Sequence, residues 1–304
     1  MKVYVGQPLP EPSTTELLAG YDVVLGTGGL PPAEVREHLA AVDALLPTPR
    51  EVVTRDVLAA APRLSIVAAC SVGTDHIDLA ACRERGVVVT NTPDVLTEAT
   101  ADLAWALILA VTRRVTEGEA LLRSGRWEGL KGLGILGTGL QGKTLGVYGM
   151  GRIGAAVARR AGPFGMQVVG MRSADGVDSF EGLLRAADVL TIHAPLTPGT
   201  RGRFGRSELL RMKRGAILVN TARGPIVDEG ALVEALEAGH LGGAGLDVYQ
   251  NEPAVHPGLL GRMDVTLLPH LGTATRETRL AMARLACAEI LRFFRGEPLR
   301  HRVA

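Results

Sequence analysis

The sequence predicts an α/β fold of two doubly wound parallel-sheet domains, one inserted into the other. Three observations predict it. Short apolar runs alternate with helical stretches from the first residues onward, the pattern of βα units feeding a parallel sheet. The alternation restarts after a glycine-dense stretch, 129–142, which makes two arrays. The length, 304 residues, exceeds what one hydrophobic core usually organises.

In chain order, the first array places strands at 3–5, 23–25, 44–46, 66–69 and 87–89, with helices over 33–40 and 77–85 among the connections. One long helix is expected from Thr97 to Arg123. The glycine-dense arm that follows cannot pack a core alone and is expected to wrap over a neighbouring surface, such as another subunit. The second array begins at Thr144. Its strands are expected at 145–148, 167–171, 189–193, 216–220, 243–248 and 265–268, and a helix over 276–294 closes the chain. Two long helices serve as crossings. They divide the chain into 1–97 with 278–304, and 98–277.

Composition removes several function classes. Basic and acidic residues number 33 and 32, with no basic block, so nucleic acid is not an expected partner. The most apolar run, Leu103 to Val111, is too short to span a bilayer. Cys70, Cys82 and Cys287 are odd in number and lack metal-ligand spacing. With a strand pattern opening at Met1–Gly6 instead of a signal peptide, they predict reduced thiols in a cytoplasmic protein. No metal site is expected, since the acids do not cluster and His-x-x-x-His is absent.

The strongest single motif is Val147-Tyr-Gly-Met-Gly-Arg-Ile-Gly154, with Gly149, Gly151 and Gly154 spaced G-x-G-x-x-G. A strand precedes it and a helix follows it. In that context the first glycine makes a tight turn, the second admits a pyrophosphate, and the third lets helix pack on strand. The helix N-terminus offers amides and a positive dipole end to the phosphates. The domain carrying it is therefore expected to be Rossmann-like and to bind a dinucleotide.

Three chemically capable residues follow strand ends, where ligand clefts lie in such sheets. Arg223 lies in Asn220-Thr-Ala-Arg-Gly224, Glu252 in Asn251-Glu-Pro253, and His270 in Pro269-His-Leu-Gly272. An arginine fork binds a carboxylate by two hydrogen bonds. A histidine moves protons near neutral pH, and a carboxylate beside it stabilises its charged form. Taken singly, Arg223 fits a surface residue beside a Gly-Pro turn as well, and His270 fits a structural role. Three together beside a cofactor turn favour function. His193, in Thr191-Ile-His-Ala-Pro195, ends another strand and is expected to line the cofactor pocket with Pro195. His38, His76, His240, His256 and His301 lack such settings.

The cofactor's identity turns on the tip of the strand at 167–171. An NAD site places an acid there for the ribose 2′-hydroxyl. Here Arg172 and Ser173 occupy the tip and can bind a 2′-phosphate, which favours NADP(H). Asp175 stands slightly further on and leaves NAD(H) open.

Together these motifs resemble the D-isomer-specific 2-hydroxyacid dehydrogenases over nearly the whole length, from Ser71-Val-Gly-Thr-Asp75 to Pro269-His-Leu-Gly272. Asn91-Thr-Pro-Asp-Val-Leu-Thr-Glu-Ala-Thr-Ala101 and Met212-Lys-Arg-Gly-Ala-Ile-Leu-Val-Asn220 look most like the glyoxylate and hydroxypyruvate reductases. The resemblance implies an oxidoreductase that reduces a small 2-oxoacid to the D-2-hydroxyacid. Arg223 would hold the substrate's carboxylate and carbonyl, His270 would donate the proton, and Glu252 would keep His270 charged. Main chain at Val72 and Gly73 would bind the substrate carboxylate, and Leu45 with Leu46 would shape the pocket. Asp247 would meet the nicotinamide carboxamide, Arg152 and Ile153 would meet the pyrophosphate through the turn, and Thr221, Ala222 and Gly272 would also line the cofactor. A cleft closing between the domains would exclude water, and a homodimer is implied, which suits the arm near Trp127.

The chain departs from the family pattern in places. The segment 251–261 lacks a longer acidic-proline loop, Leu130 stands where some relatives carry a second tryptophan, and Thr273 replaces a serine. Substrate preference is accordingly expected to be looser, or shifted to larger 2-oxoacids. Rival readings are phosphite, formate, D-lactate or 3-phosphoglycerate oxidation on the same scaffold, and a cofactor-sensing binding protein like the C-terminal-binding corepressors.

Overall fold

The structure is a computed structural model and describes residues 1–28, 38–129, 134–172 and 175–304, leaving aside the Val177 side chain. Of the expected helix over 33–40, residues 33–37 lie outside the described residues. The chain divides into two compact units, Met1–Leu96 with Thr273–Ala304, and Thr97–Gly272.

The first unit holds strands β1 (Lys2–Val5), β2 (Asp22–Leu25), β3 (Ala44–Leu46), β4 (Ile66–Ala68) and β5 (Val88–Thr90), in the order β2-β1-β3-β4-β5. All of its strand pairs are parallel. The chain's last residues close the β5 edge, with Val303 N donating to Val89 O (2.7 Å) and Val89 N to Ala304 O (2.9 Å). An edge left open would be a template for pairing with another chain.

The second unit holds β6 (Thr144–Tyr148), β7 (Gln167–Met171), β8 (Val189–Ile192), β9 (Ile217–Asn220), β10 (Gly243–Leu246) and β11 (Val265–Leu267). Their order is β11-β10-β9-β8-β6-β7, again all parallel. Alternate residues on each strand feed opposite faces. Leu145 and Val147 pack with Trp105, Ile108 and Val157, whereas Tyr148 packs with Phe180 and Phe204 on the other side. Helices thus cover both faces, as a buried parallel sheet requires. In each sheet the order reverses once, between β1 and β3 and between β6 and β8. Such a reversal opens a crevice at the strand carboxyl ends.

The structure bears on three expectations. The long helix over 97–123 is two helices, Thr97–Thr112 and Val115–Arg123, joined through Arg114 with a left-handed φ of 53°. Thr138 N donates to Thr112 O at 2.7 Å, so the glycine-dense arm takes a carbonyl that a continuous helix would use itself. Only glycine at 137 allows this approach, because a Cβ there would lie 2.3 Å from Thr112 O.

The same contacts bear on the second expectation: from Gly137 to Leu140 the arm packs on its own unit, with Leu140 7% exposed in that unit's core, whereas Leu136 is 62% exposed. Leu130 lies outside the described residues. Third, the later crossing falls at Gly272–Thr273, ahead of the 277–278 expected. Thr275 Oγ1 accepts Thr278 N (3.1 Å) and Thr273 O accepts Arg279 Nε (3.2 Å), so these residues form the cap of the helix Arg276–Phe294.

Candidate active site

The glycine turn sits at the reversal point of the second sheet, and each glycine has its own reason. Gly149 has a φ of 104°, and a Cβ on it would lie 2.6 Å from Ala194 N. A Cβ on Gly154 would lie 2.1 Å from Gly149 O. Gly151 caps the helix Arg152–Arg159, and a Cβ there would meet nothing within 4 Å. That open position is where the backbone can meet a ligand. Arg152 is exposed and Ile153 half-buried in the helix's first turn.

A cavity of about 320 Å³ opens beside the turn, lined by Gly149, Met150, Gly151, Arg172, His193 and Pro195. Its size suits part of a dinucleotide. The donors of a helix N-terminus, a backbone free of side chains at Gly151 and the cavity wall together fit such a cofactor. His193 ring nitrogens meet Thr191 Oγ1 (2.9 Å) and Thr221 Oγ1 (3.5 Å). Burial holds the His193 pKa down to about 3, so this ring stays neutral at physiological pH. Met150 was not singled out from sequence, although it is the variable residue between two required glycines. Ser173 lies outside the described residues.

The three chemically capable residues lie in the second unit and are brought together there. Arg223 follows β9 in an extended conformation. Asn220 braces its turn, accepting Ala222 N and donating from Nδ2 to Arg223 O, both at 3.0 Å. Thr221 is buried and Ala222 half-buried beneath it. The Arg223 Nη1 also donates to Ala222 O at 2.8 Å.

Glu252 follows β10. Its Oε1 accepts Tyr249 N (3.0 Å), and its Oε2 meets His270 Nδ1 at 2.8 Å. Burial pushes the Glu252 carboxyl up. The His270 hydrogen bond and charge, the Tyr249 amide and Arg223 outweigh it and hold the group below its ordinary value. Glu252 is therefore an anion at neutral pH. His270 follows β11 with a left-handed φ of 56°, a conformation uncommon outside glycine. Its N–H donates to Asp247 O at 2.9 Å, which helps hold the bend.

Asp247, expected beside the nicotinamide carboxamide, also has a structural place. Its carboxylate is buried and accepts Leu271 N (2.6 Å) and Gly272 N (2.8 Å). It thus anchors the turn that aims His270, and Gly272 is buried against it. Burial pushes the Asp247 pKa up, and the two amides and the His270 charge work against that rise.

A second network fixes the Glu252 segment. Gln250 N donates to the buried Glu229 (2.6 Å), and a Cβ on Gly224 would lie 1.9 Å from the Tyr249 carbonyl carbon. The Arg223 turn and the Glu252 turn are therefore in direct backbone contact. Neither Glu229 nor this contact stood out in the sequence.

In the first unit, Val72 and Gly73 are half-buried on the loop after β4. Val72 O accepts Asn91 Nδ2 (2.9 Å) and Gly73 O accepts Ser71 Oγ (2.7 Å), so both peptide planes are fixed. Leu45 and Leu46, expected to shape the pocket, are both 0% exposed on β3, a central parallel strand.

The family profile for the D-isomer specific 2-hydroxyacid dehydrogenase NAD binding domain matches residues 105–272. The glyoxylate reductase of Thermococcus litoralis is 42% identical, covering 97% of this chain and 94% of its own length. The crystal structure of the TT0316 protein from Thermus thermophilus superposes with a TM-score of 0.95 at 46% identity, covering all of both chains. An NADPH-dependent glyoxylate/hydroxypyruvate reductase from Sinorhizobium meliloti, solved with NADP and malonate, gives a TM-score of 0.90 at 34% identity, covering 100% of this chain and 96% of that one. With the glycine turn and the Arg-Glu-His group on one parallel sheet, these similarities make the chain a member of the D-isomer-specific 2-hydroxyacid dehydrogenases, NAD(P)-dependent oxidoreductases.

Proposed function

We propose that the enzyme reduces glyoxylate or hydroxypyruvate to the D-2-hydroxyacid, with NADPH preferred over NADH. The observation that carries this is the His270–Glu252 pair at 2.8 Å beside a dinucleotide turn and Arg223. NAD(P)H, when bound, supplies the hydride. Glu252 holds Nδ1 of His270, which leaves Nε2 as the nitrogen that delivers a proton to the carbonyl oxygen. Arg223 orients the 2-oxoacid by its carboxylate and polarises the carbonyl. The second unit serves the cofactor. The first serves the substrate, with main chain at Val72 and Gly73 assigned to its carboxylate. Arg172 supports the 2′-phosphate of NADPH.

The test is cofactor oxidation at 340 nm against glyoxylate, hydroxypyruvate, pyruvate and 2-oxoisocaproate. Rapid turnover of the first two with NADPH is expected. A higher kcat/KM with NADH would overturn the cofactor preference, and silence across the panel would overturn the reductase assignment.

Glu252 is held below its ordinary carboxyl value by its contacts with His270 and the Tyr249 amide, so it stays an anion beside the imidazole until the solution is well into the acid range. Glu252→Gln removes that charge, and kcat on glyoxylate should fall about tenfold or more with cofactor affinity little changed. An unchanged kcat would show that the pair does not serve the proton donor.

A homodimer and a cytoplasmic location complete the assignment. The helix Val115–Arg123 has no buried residue, and Leu122 and Trp127 near it are 60% and 53% exposed, an apolar surface suited to a second subunit. Sedimentation velocity should give a dimer, and a monomer at micromolar concentration would refute it. The three cysteines are free and buried, in keeping with a reducing compartment.

A further inference from the structure

The geometry points to Asp175 as the residue that limits how far this enzyme can favour NADPH. The inference rests on the dinucleotide site assigned above, and it concerns the end of that site farthest from the chemistry.

The strand tip is fixed on both sides. Met171 O accepts from Gly149 N (2.9 Å) and Met150 N (3.0 Å), so the end of β7 is tied to the glycine turn. Arg172 follows immediately and contributes to the cavity wall. Asp175 then folds back on it. Asp175 Oδ2 accepts Arg172 N at 2.7 Å, and Asp175 N donates to Arg172 O at 3.1 Å. Both main-chain polar groups of Arg172 are thus engaged by one residue. These two bonds place a carboxylate at the strand tip, three residues beyond Arg172 in the sequence.

The chemistry of the two cofactors separates here. A ribose 2′-hydroxyl donates a hydrogen bond, and a carboxylate at the strand tip accepts it. A 2′-phosphate is an anion and seeks N–H donors and cations. Asp175 opposes it twice, by charge and by occupying the Arg172 amide. Arg172 favours it through its guanidinium. Asp175 is exposed, and its carboxylate sits 2.7 Å from the main chain of Arg172, which lines the cavity. The preference given by Arg172 is therefore held in check by a neighbour of opposite charge, and the ratio between cofactors follows the charge at position 175.

Asp175→Asn tests this with little change of shape, since an amide oxygen can still accept from Arg172 N while the charge is gone. Steady-state kinetics with glyoxylate should show the NADPH-to-NADH ratio of kcat/KM rising at least tenfold, through the cofactor KM. Calorimetry with adenosine 2′,5′-bisphosphate and with AMP supplies a readout that needs no turnover. The bisphosphate should bind at least tenfold tighter to the variant, with AMP shifted far less. Asp175→Ser should move both quantities in the same direction.

Ratios and affinities within twofold of the parent in both variants would overturn the inference. Arg172→Ala, measured alongside, separates the two claims. If it leaves the ratio in place while Asp175→Asn raises it, the Arg172 assignment fails and the role of Asp175 stands. If all 2-oxoacids prove silent, the nucleotide affinities still decide.

Discussion

His270→Ala should lose about 10²–10⁴-fold in kcat on glyoxylate while still binding NADPH, because it removes the proton donor and leaves the glycine turn intact. The backbone at this position complicates the experiment. His270 has a φ of 56°, so alanine adds strain to the loss of the imidazole. Asparagine tolerates that conformation better than most residues, and His270→Asn therefore separates the two effects. Both variants should show the same loss in kcat if proton transfer is the cause. Should either retain kcat within tenfold of the parent, His270 is not the donor. Cofactor affinity, followed by NADPH fluorescence, should change little, since the cavity lining lies at β6, β7 and β8 and does not include residue 270.

Gly224→Ala should be as damaging by another route. A methyl group there would lie 1.9 Å from the Tyr249 carbonyl carbon and oxygen and 2.5 Å from Gln250 N. All of these are backbone atoms, so no side chain can swing aside. The two loops must part, and overpacking of this kind costs about 3 kcal/mol. Glu252 depends on the same segment through Tyr249 N, and Arg223 precedes the glycine. The variant should unfold at a clearly lower temperature and urea concentration. Whatever folds should show both a raised KM and a lowered kcat. A thermal midpoint within a degree of the parent would mean that the loops are freer to separate than this packing implies.

What could be read from the sequence follows from how local each cause is. The strands were legible because a buried parallel strand needs a short apolar run, as in Val189–Ile192. The glycine turn was legible because three local requirements impose three glycines. Arg223, Glu252 and His270 were legible as a group because each follows a strand, and a parallel sheet brings its strand ends to one side. The break at Arg114 was hidden, because its cause is Thr138, distant in sequence, taking the Thr112 carbonyl. The burial of Leu45 was not legible, because an apolar residue at a strand end can equally line a pocket or fill a core. Only strand order decides, and β3 is central. The Asp247 anchor was hidden for a related reason. Its partners are the amides of Leu271 and Gly272, and no side-chain pattern announces an amide.

The second unit begins at Thr97 and ends at Gly272, and Thr100 Oγ1 donates to Gly272 O at 3.1 Å. Its entrance and exit are therefore neighbours. A segment with that property behaves as a cassette: a host fold can receive it through a single surface loop, and its ends add little closure cost. Exchange of 97–272 as one piece between related chains would carry over the glycine turn, the Arg172–Asp175 pair and the Arg223–Glu252–His270 group together, leaving the recipient's own first unit as the part that varies.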